Sequence, residues 1–295
     1  MAKGAFPVAI GALCLSLGAP ALAAESGPTL SQVLDRVAAY LAGYEQQLST
    51  VLAEEHYEQT STDWADPGRE PPARRRTLDS DFLFLRLPGG NAWLGLRDTF
   101  RVDGSEVRPA EAGVLRGLRT GGADTLSQAL GVVAENSRRN LGAVYRTING
   151  PTTVLDFLTR PNQPRFQLSK SGEQRSHGRT LWVVRFNETT RPTMIKTREG
   201  VDQRARGDVW IDPATGAIER TLLDLGDDGP AESFVRSRII VTYSIDPAFG
   251  LLVPADMVES YYRPPSASFA QLQITAHATY LRFRRFEVSV KILAP

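Results

Sequence analysis

Three histidines, His56, His177 and His277, are the first side chains to test for chemistry, because imidazole is the commonest metal ligand and the usual acid–base group near neutral pH. No two of them lie three or four residues apart, so no helical metal pair is encoded locally. Glu54-Glu55-His56 sets acids beside an imidazole without the spacing of a zinc motif, and His56 is predicted to be a surface histidine. Among the carboxylates, Asp208, Asp212, Glu188 and Glu259 are candidates for paired-acid hydrolysis. That chemistry needs two acids held across one bond, and nothing in their spacing sets such a distance. The chain has no G-x-S-x-G elbow, S-x-x-K pair, phosphate loop or dinucleotide fingerprint. The reading is therefore of a non-enzyme, with no catalytic residue, no metal ligand and no cofactor expected.

The aromatics carry a different suggestion. Trp93, Trp182, Trp210, Tyr243, Tyr261 and Tyr262 are spread along strand-like segments, with Phe82, Phe84 and Met257 beside them. Rings of this size dominate β-cores, so simple packing accounts for them. A concave sheet lined by them could instead hold an acyl chain. On that reading Phe84, Trp93, Trp182, Trp210, Tyr243, Met257 and Tyr261 are the candidate ligand-binding residues.

The elements that must position these side chains begin with one helix. Thr29 and Gln32 form a capping-box pattern behind Pro28, and Val33, Leu34, Val37, Leu41, Leu48, Val51 and Leu52 recur near the helical period, predicting an amphipathic helix over Thr29 to Glu54. Glu55 to Thr62 turns β-like. Asp63 to Arg76, with four prolines and glycines and three successive arginines, reads as a solvated loop. Phe82 to Leu87 and the alternating residues from Ala92 to Val102 predict a hairpin through Pro88-Gly89-Gly90. Between about 103 and 160 the β pattern lapses. Ala123 to Arg139 and Pro151 to Leu158 look helical, and the segment is expected to be an insertion packed beside the sheet.

Beyond it the chain is strand-rich: Arg165 to Ser169, Thr180 to Phe186, Arg206 to Ile211, Ala217 to Leu225, Phe234 to Ile245, Leu252 to Tyr262, Ala270 to Tyr280 and Phe286 to Ile292. Val235, Ile239, Val241, Tyr243 and Ile245 share a parity, opposite Arg236, Arg238 and Thr242. Leu272, Ile274, Ala276, Ala278 and Tyr280 do the same, opposite Gln271, Gln273, Thr275 and His277. Leu281 and Phe283 keep one parity and Phe286, Val288, Val290 and Ile292 the other, so a bend around Arg284-Arg285 is expected to keep both sets inward. Asp212-Pro213-Ala214-Thr215-Gly216 is a strong hairpin turn.

Composition sets the compartment and excludes several partners. Lys3, the apolar run from Val8 to Leu17 and Ala21-Leu22-Ala23 have the pattern of a secretory signal, so residues 1–23 are expected to be removed and 24–295 to form a single periplasmic or secreted domain. The only cysteine, Cys14, lies in that run, leaving no disulfide for the mature chain. With 34 Lys and Arg against 33 Asp and Glu there is no net field to draw nucleic acid.

The order of signal peptide, amphipathic helix and long strands, together with Leu181 to Phe186, Gly207-Asp208-Val209-Trp210-Ile211-Asp212-Pro213-Ala214-Thr215-Gly216-Ala217-Ile218-Glu219-Arg220 and Val253-Pro254-Ala255-Asp256-Met257, resembles the periplasmic lipoprotein-carrier superfamily. The resemblance spans about Arg165 to Ile292 and the first helix. It implies an incomplete β-barrel closed by helices, and hydrophobic-ligand binding; no family ligand-binding residue maps onto a position of this chain.

The expected fold is thus α+β, a strongly curved antiparallel sheet forming an incomplete barrel around the first helix, with a helical insertion. The expected function is carriage or sensing of an acyl chain, lipid or lipidated peptide. Two other readings remain: an envelope protein-interaction or sensor scaffold using sheet edges or the Asp63 to Arg76 loop, and an envelope hydrolase in which His56 or a cluster of acids converges. An integral outer-membrane barrel is disfavoured by the opening helix and by the lack of regular strands with aromatic girdles.

Overall fold

The computed structural model describes residues 27–49, 51–64, 71–86, 93–107, 139–142, 150–197, 200–226, 235–265 and 270–285. The expected signal sequence, the helix expected over Ala123 to Arg139 apart from its last residue, and the strand expected over Phe286 to Ile292 lie outside these.

Helix α1 (Leu30–Leu48) starts where the capping box placed it: Gln32 N–H donates to the Thr29 hydroxyl, and the Gln32 side chain accepts from Thr29 N–H at 2.9 Å. It ends earlier than the periodicity predicts, at the Ser49 cap. Val51 and Leu52, which continue the helical stripe in sequence, are instead the first residues of β1 (Val51–Trp64). There they are held by ladder pairing to strands distant in sequence, which outweighs a local pattern.

The following strands are β2 (Arg74–Arg86), β3 (Trp93–Val102) and the two-residue β4 (Ser105–Glu106). Arg74, Arg75 and Arg76, expected in a loop, open β2 against Ser61, Thr60 and Gln59. After the short helix α2 (Thr153–Phe157) come β5 (Phe166–Ser176), β6 (Arg179–Glu188), β7 (Ile195–Lys196), β8 (Asp202–Gln203), β9 (Ala205–Ile211), β10 (Ile218–Leu225), β11 (Arg236–Asp246), β12 (Leu251–Arg263) and β13 (Gln271–Arg285). Apart from the β7–β8 pair, the strands make one 11-stranded antiparallel sheet in the order β4-β3-β2-β1-β13-β12-β11-β10-β9-β6-β5, with β4 and β5 at its two ends among the described residues.

One face of this sheet carries a continuous apolar cluster interrupted by a few buried polar side chains. Tyr57, Ala278, Met257, Val241 and Val209 are all buried, and they belong to the same cluster as Val33, Val37, Leu41, Tyr44 and Leu48 of α1 and Val154, Leu155, Phe157 and Leu158 in and beside α2. This is the architecture of a curved α+β sheet. The expected alternation of β11 holds for Ile239, Val241 and Tyr243 but not for Ile245, which is exposed past the covered part of the strand. The irregularity near the end of β13 comes earlier than expected. The pairing with β1 shifts between Leu52 and Glu54, Arg282 adopts φ +50°, and Leu281 turns outward at 53% exposure instead of facing the core.

Candidate functional site

The inner face is built by cross-strand register. Tyr57 of β1 pairs with Ala278 of β13, which pairs with Met257 of β12, which pairs with Val241 of β11, so one row of the sheet brings four strands' apolar side chains into the cluster that also holds the stripe of α1. Phe84 is fully buried beside this row, 5.0 Å from Phe82, whose ring meets Tyr280 edge-on at 5.4 Å. Tyr243 is buried, and its hydroxyl donates to the Pro151 carbonyl, fixing the entry to α2 over the sheet. Trp182 packs against the same cluster from its rim and is only half-buried, with Lys170 Nζ 3.8 Å from its ring centre.

The other candidates lie elsewhere. Tyr261 is buried in a separate cluster with Leu272 and Ile274. Trp210 sits on the opposite face: Ala205, Val209 and Ile211 point into the core, while the Trp210 indole N–H donates to Gln174 Oε1 at 2.7 Å beneath Arg220. Trp93 opens β3 opposite Arg86, and its side chain lies outside the described set. Phe84, Tyr243 and Met257 thus share one buried surface, with Trp182 at its edge.

Three features of this surface were not read from the sequence. The first is a buried ion pair. Arg97 grips Glu55 with two hydrogen bonds, Nη2 to Oε1 at 2.7 Å and Nε to Oε2, while its guanidinium lies 4.7 Å over Tyr57. Burial works against the Arg97 charge, but the field of Glu55 and its hydrogen bonds prevail and raise its pKa. Burial and then the Glu55 charge push the neighbouring Tyr280 phenol up. Further along the same face Glu259 is fully buried and accepts from the Tyr261 hydroxyl.

The second is the seat of α1. Its Arg36 side chain donates to the Pro213 carbonyl at 2.6 Å, its Leu34 carbonyl accepts from the Gln163 side chain at 3.0 Å, and Arg160 reaches Asp35 at 2.9 Å. Gly216, at φ +79°, lies so close to the helix that a Cβ there would stand 2.4 Å from the Arg36 carbonyl carbon. Asp212 sets the turn by accepting from Ala214 N–H at 2.9 Å and from Arg179 at 3.0 Å. The Asp212 to Gly216 stretch is therefore both a hairpin turn and the platform on which α1 rests.

The third is residues 139–142, which cross the inner face at β1 and β13. Leu141 N–H donates to Gln59 Oε1 at 3.0 Å, and Gly142, at φ +81°, nearly touches Ile274. Residues 141 and 142 thus lie against this face of the sheet.

The carboxylates and histidines do not assemble into an acid–base centre. Asp208 pairs with Arg185 at 3.1 Å on the outer face, Asp212 serves its turn, Glu188 is buried and accepts from Met194 N–H at 2.8 Å, and Glu259 faces inward. His56 pairs with Asp79 at 2.7 Å, His277 with Asp256 at 3.0 Å and His177 with Ser176 at 3.0 Å, all exposed. The hydrogen bond to Asp79 raises the His56 pKa above its ordinary value. Among the described residues no group of three His, Cys, Asp or Glu is placed to hold a metal ion, and no helix is long and apolar enough to cross a membrane.

No protein-family model matches this sequence, and no curated protein matches it. Among solved structures the chain is similar to a domain named for outer membrane lipoprotein sorting from Vibrio parahaemolyticus, at 10% identity and TM-score 0.41, covering 90% of this chain and 96% of that one. A DUF1329 family protein from Desulfovibrio piger matches at 11% identity and TM-score 0.38, over 90% and 95% of the two chains. A LolA superfamily protein from Nitrosomonas europaea matches at 10% identity and TM-score 0.31, over 87% and 96%. The resemblance to lipoprotein-sorting structures is distant.

Proposed function

We propose that this chain, once residues 1–23 are removed, is a single-domain, non-catalytic periplasmic or secreted protein that binds an acyl chain, a lipid or a lipidated peptide on the apolar face of its sheet. In this reading the sheet wraps α1, and α1 acts as a cover that the ligand displaces. Phe84, Tyr243 and Met257 line the seat, Trp182 marks its mouth, and Trp210 has no part in it.

One observation carries the reading. The apolar stripe of α1 and much of the inner face of the sheet belong to a single buried cluster, and the first half of the helix is seated by the Arg36 bond to the Pro213 carbonyl, the Gln163 bond to the Leu34 carbonyl and the Arg160–Asp35 pair. A cover held in this way can separate without breaking the ladder of the sheet. Burying acyl surface supplies about 0.8 kcal/mol per methylene, so a chain can bind here without a charged anchor.

The test is binding of a fluorescent fatty acid to detergent-free protein, with native mass spectrometry of the purified chain for co-purifying lipid. Trp182→Ala is expected to weaken binding several-fold by opening the mouth. Leu41→Ala is expected to lower stability by ~2–5 kcal/mol while strengthening ligand binding, because it weakens the competitor for the same surface. Absence of both co-purified lipid and fatty-acid binding refutes the proposal.

A further inference from the structure

The face of the sheet turned away from α1 carries a feature that the carrier reading leaves unused. β10 ends at Asp224 and Leu225, with Gly226 just after it, between two strands that each bring arginine: Arg206 of β9 stands opposite Asp224, and β11 contributes Arg236 and Arg238. Arg238 is fully engaged, its Nε and Nη2 at 2.7 and 2.9 Å from the two oxygens of Asp224. The Arg206 and Arg236 side chains have no ion-pair or hydrogen-bond partner among the described residues. Asp224, the only carboxylate among the described residues lining this place, is therefore already neutralised, and the two guanidiniums beside it are not paired with it.

The backbone leaves room between them. Gly226, at φ +132°, has no side chain where a Cβ would lie 3.2 Å from Arg236 Cγ, and the result is a notch of about 360 Å³ with Ser260 and Tyr262 on its far wall. A groove of about 620 Å³ continues from it across Arg206 toward Arg185 and Asp208. Arg206 and Arg236 are two strand spacings apart across the sheet and two residues apart along it, roughly 12 Å between backbones, a span that two arginine side chains can close around one small anion. Guanidinium forks present paired N–H donors in the geometry that phosphate oxygens accept, and the Ser260 and Tyr262 side chains are hydroxyl donors on the same wall.

We propose that this notch is a phosphate-binding site, with Arg206 and Arg236 as its principal donors. With 34 basic and 33 acidic side chains the whole molecule exerts little long-range attraction, so binding depends on this local arrangement and weakens as salt is raised. The phosphate could arrive as the free ion or as the headgroup of a phospholipid, and the chemistry of recognition is the same for both.

The experiment titrates inorganic phosphate into the protein by calorimetry and, separately, sediments it with phosphatidylcholine vesicles with and without phosphatidylglycerol. The Arg206→Gln/Arg236→Gln double variant is compared with Arg75→Gln, an exposed arginine at the far end of the sheet. Both sets of side chains are exposed, and a matched thermal midpoint checks that the variants are folded. The expected result is at least about tenfold weaker binding in the double variant and unchanged binding in Arg75→Gln, in keeping with the loss of two charge-assisted contacts. Parallel loss of vesicle binding assigns the site to a lipid headgroup; loss confined to the phosphate titration assigns it to the free ion. Failure of wild-type protein to bind either probe, an unaffected double variant, or an equal effect of Arg75→Gln overturns the proposal. None of these outcomes depends on fatty-acid binding at the inner face.

Discussion

Replacing Gly216 with alanine puts a methyl group where the backbone of α1 already is. The added Cβ would stand 2.4 Å from the Arg36 carbonyl carbon, 2.5 Å from its oxygen and 2.6 Å from Val37 nitrogen. These are main-chain atoms of a helix interior and cannot swing aside, so α1 must retreat by about 1 Å to restore ordinary contact. An L-residue held at φ +79° adds ~1–2 kcal/mol of its own. Retreat of the helix also loosens the 2.6 Å bond from Arg36 to the Pro213 carbonyl, worth about 1 kcal/mol. The total is roughly 2–4 kcal/mol, a fall in Tm of about 5–12 °C for a chain of this size. Urea unfolding followed by tryptophan fluorescence measures it. Gly216→Asn separates the two causes, since asparagine tolerates positive φ but still carries a Cβ; it is expected to lose only about 1 kcal/mol less than alanine. If Gly216→Asn is as stable as wild type, or Gly216→Ala moves Tm by less than about 1 °C, the helix does not rest on this turn and the reasoning fails.

The buried ion pair gives a second test. Glu55→Gln leaves the Arg97 charge in an apolar setting and is expected to cost ~3–5 kcal/mol in urea titrations, whereas the Glu55→Gln/Arg97→Met double variant recovers part of that loss. For His56, the folded-state pKa is raised by Asp79, so its contribution to stability is complete below the unfolded value near 6.5 and disappears as pH rises through the higher folded value. Asp79→Asn is expected to flatten that pH dependence, with an amplitude under about 1 kcal/mol because the pair is exposed. Burial raises the phenols of Tyr44, Tyr243 and Tyr280, so spectrophotometric titration should show them ionising only together with alkaline unfolding, while Tyr40 is pushed up to about 12.

What could be read from the chain was local. The Thr29–Gln32 cap and the Asp212 to Gly216 turn were legible because the residues that make them are contiguous, and the alternation of β13 because its partners on both sides keep register for long stretches. The end of α1 was not, since Val51 and Leu52 fit a helical stripe as well as a strand and only the pairing with β2 and β13 decides between them. Arg97 stands among apolar alternating residues and would be expected to face water; its partner Glu55 is 42 positions away and carries no local mark. By residue type Trp210 falls among the candidate ligand-binding aromatics, whereas Val209 and Ile211 on either side occupy the core parity and set it on the other face.

The carrier reading turns on a competition for one surface, and the magnitudes show that the competition is close. Val33, Val37, Leu41, Tyr44 and Leu48 are the large side chains of α1 buried against the cluster. At ~1.5–3 kcal/mol for each fully buried apolar side chain, the helix holds its place with on the order of 10 kcal/mol of apolar contact. An acyl chain of about 16 carbons brings a similar amount at ~0.8 kcal/mol per methylene. Exchange of helix for ligand is then nearly neutral, as reversible loading and release require: a much greasier helix would shut the face permanently, and a much weaker one would leave it open to aggregation. The same balance fixes the sign of the Leu41→Ala effect. If α1 is the competitor, truncating it destabilises the empty protein and strengthens acyl binding by a comparable fraction of that loss. If α1 is instead part of the ligand's seat, stability and affinity fall together.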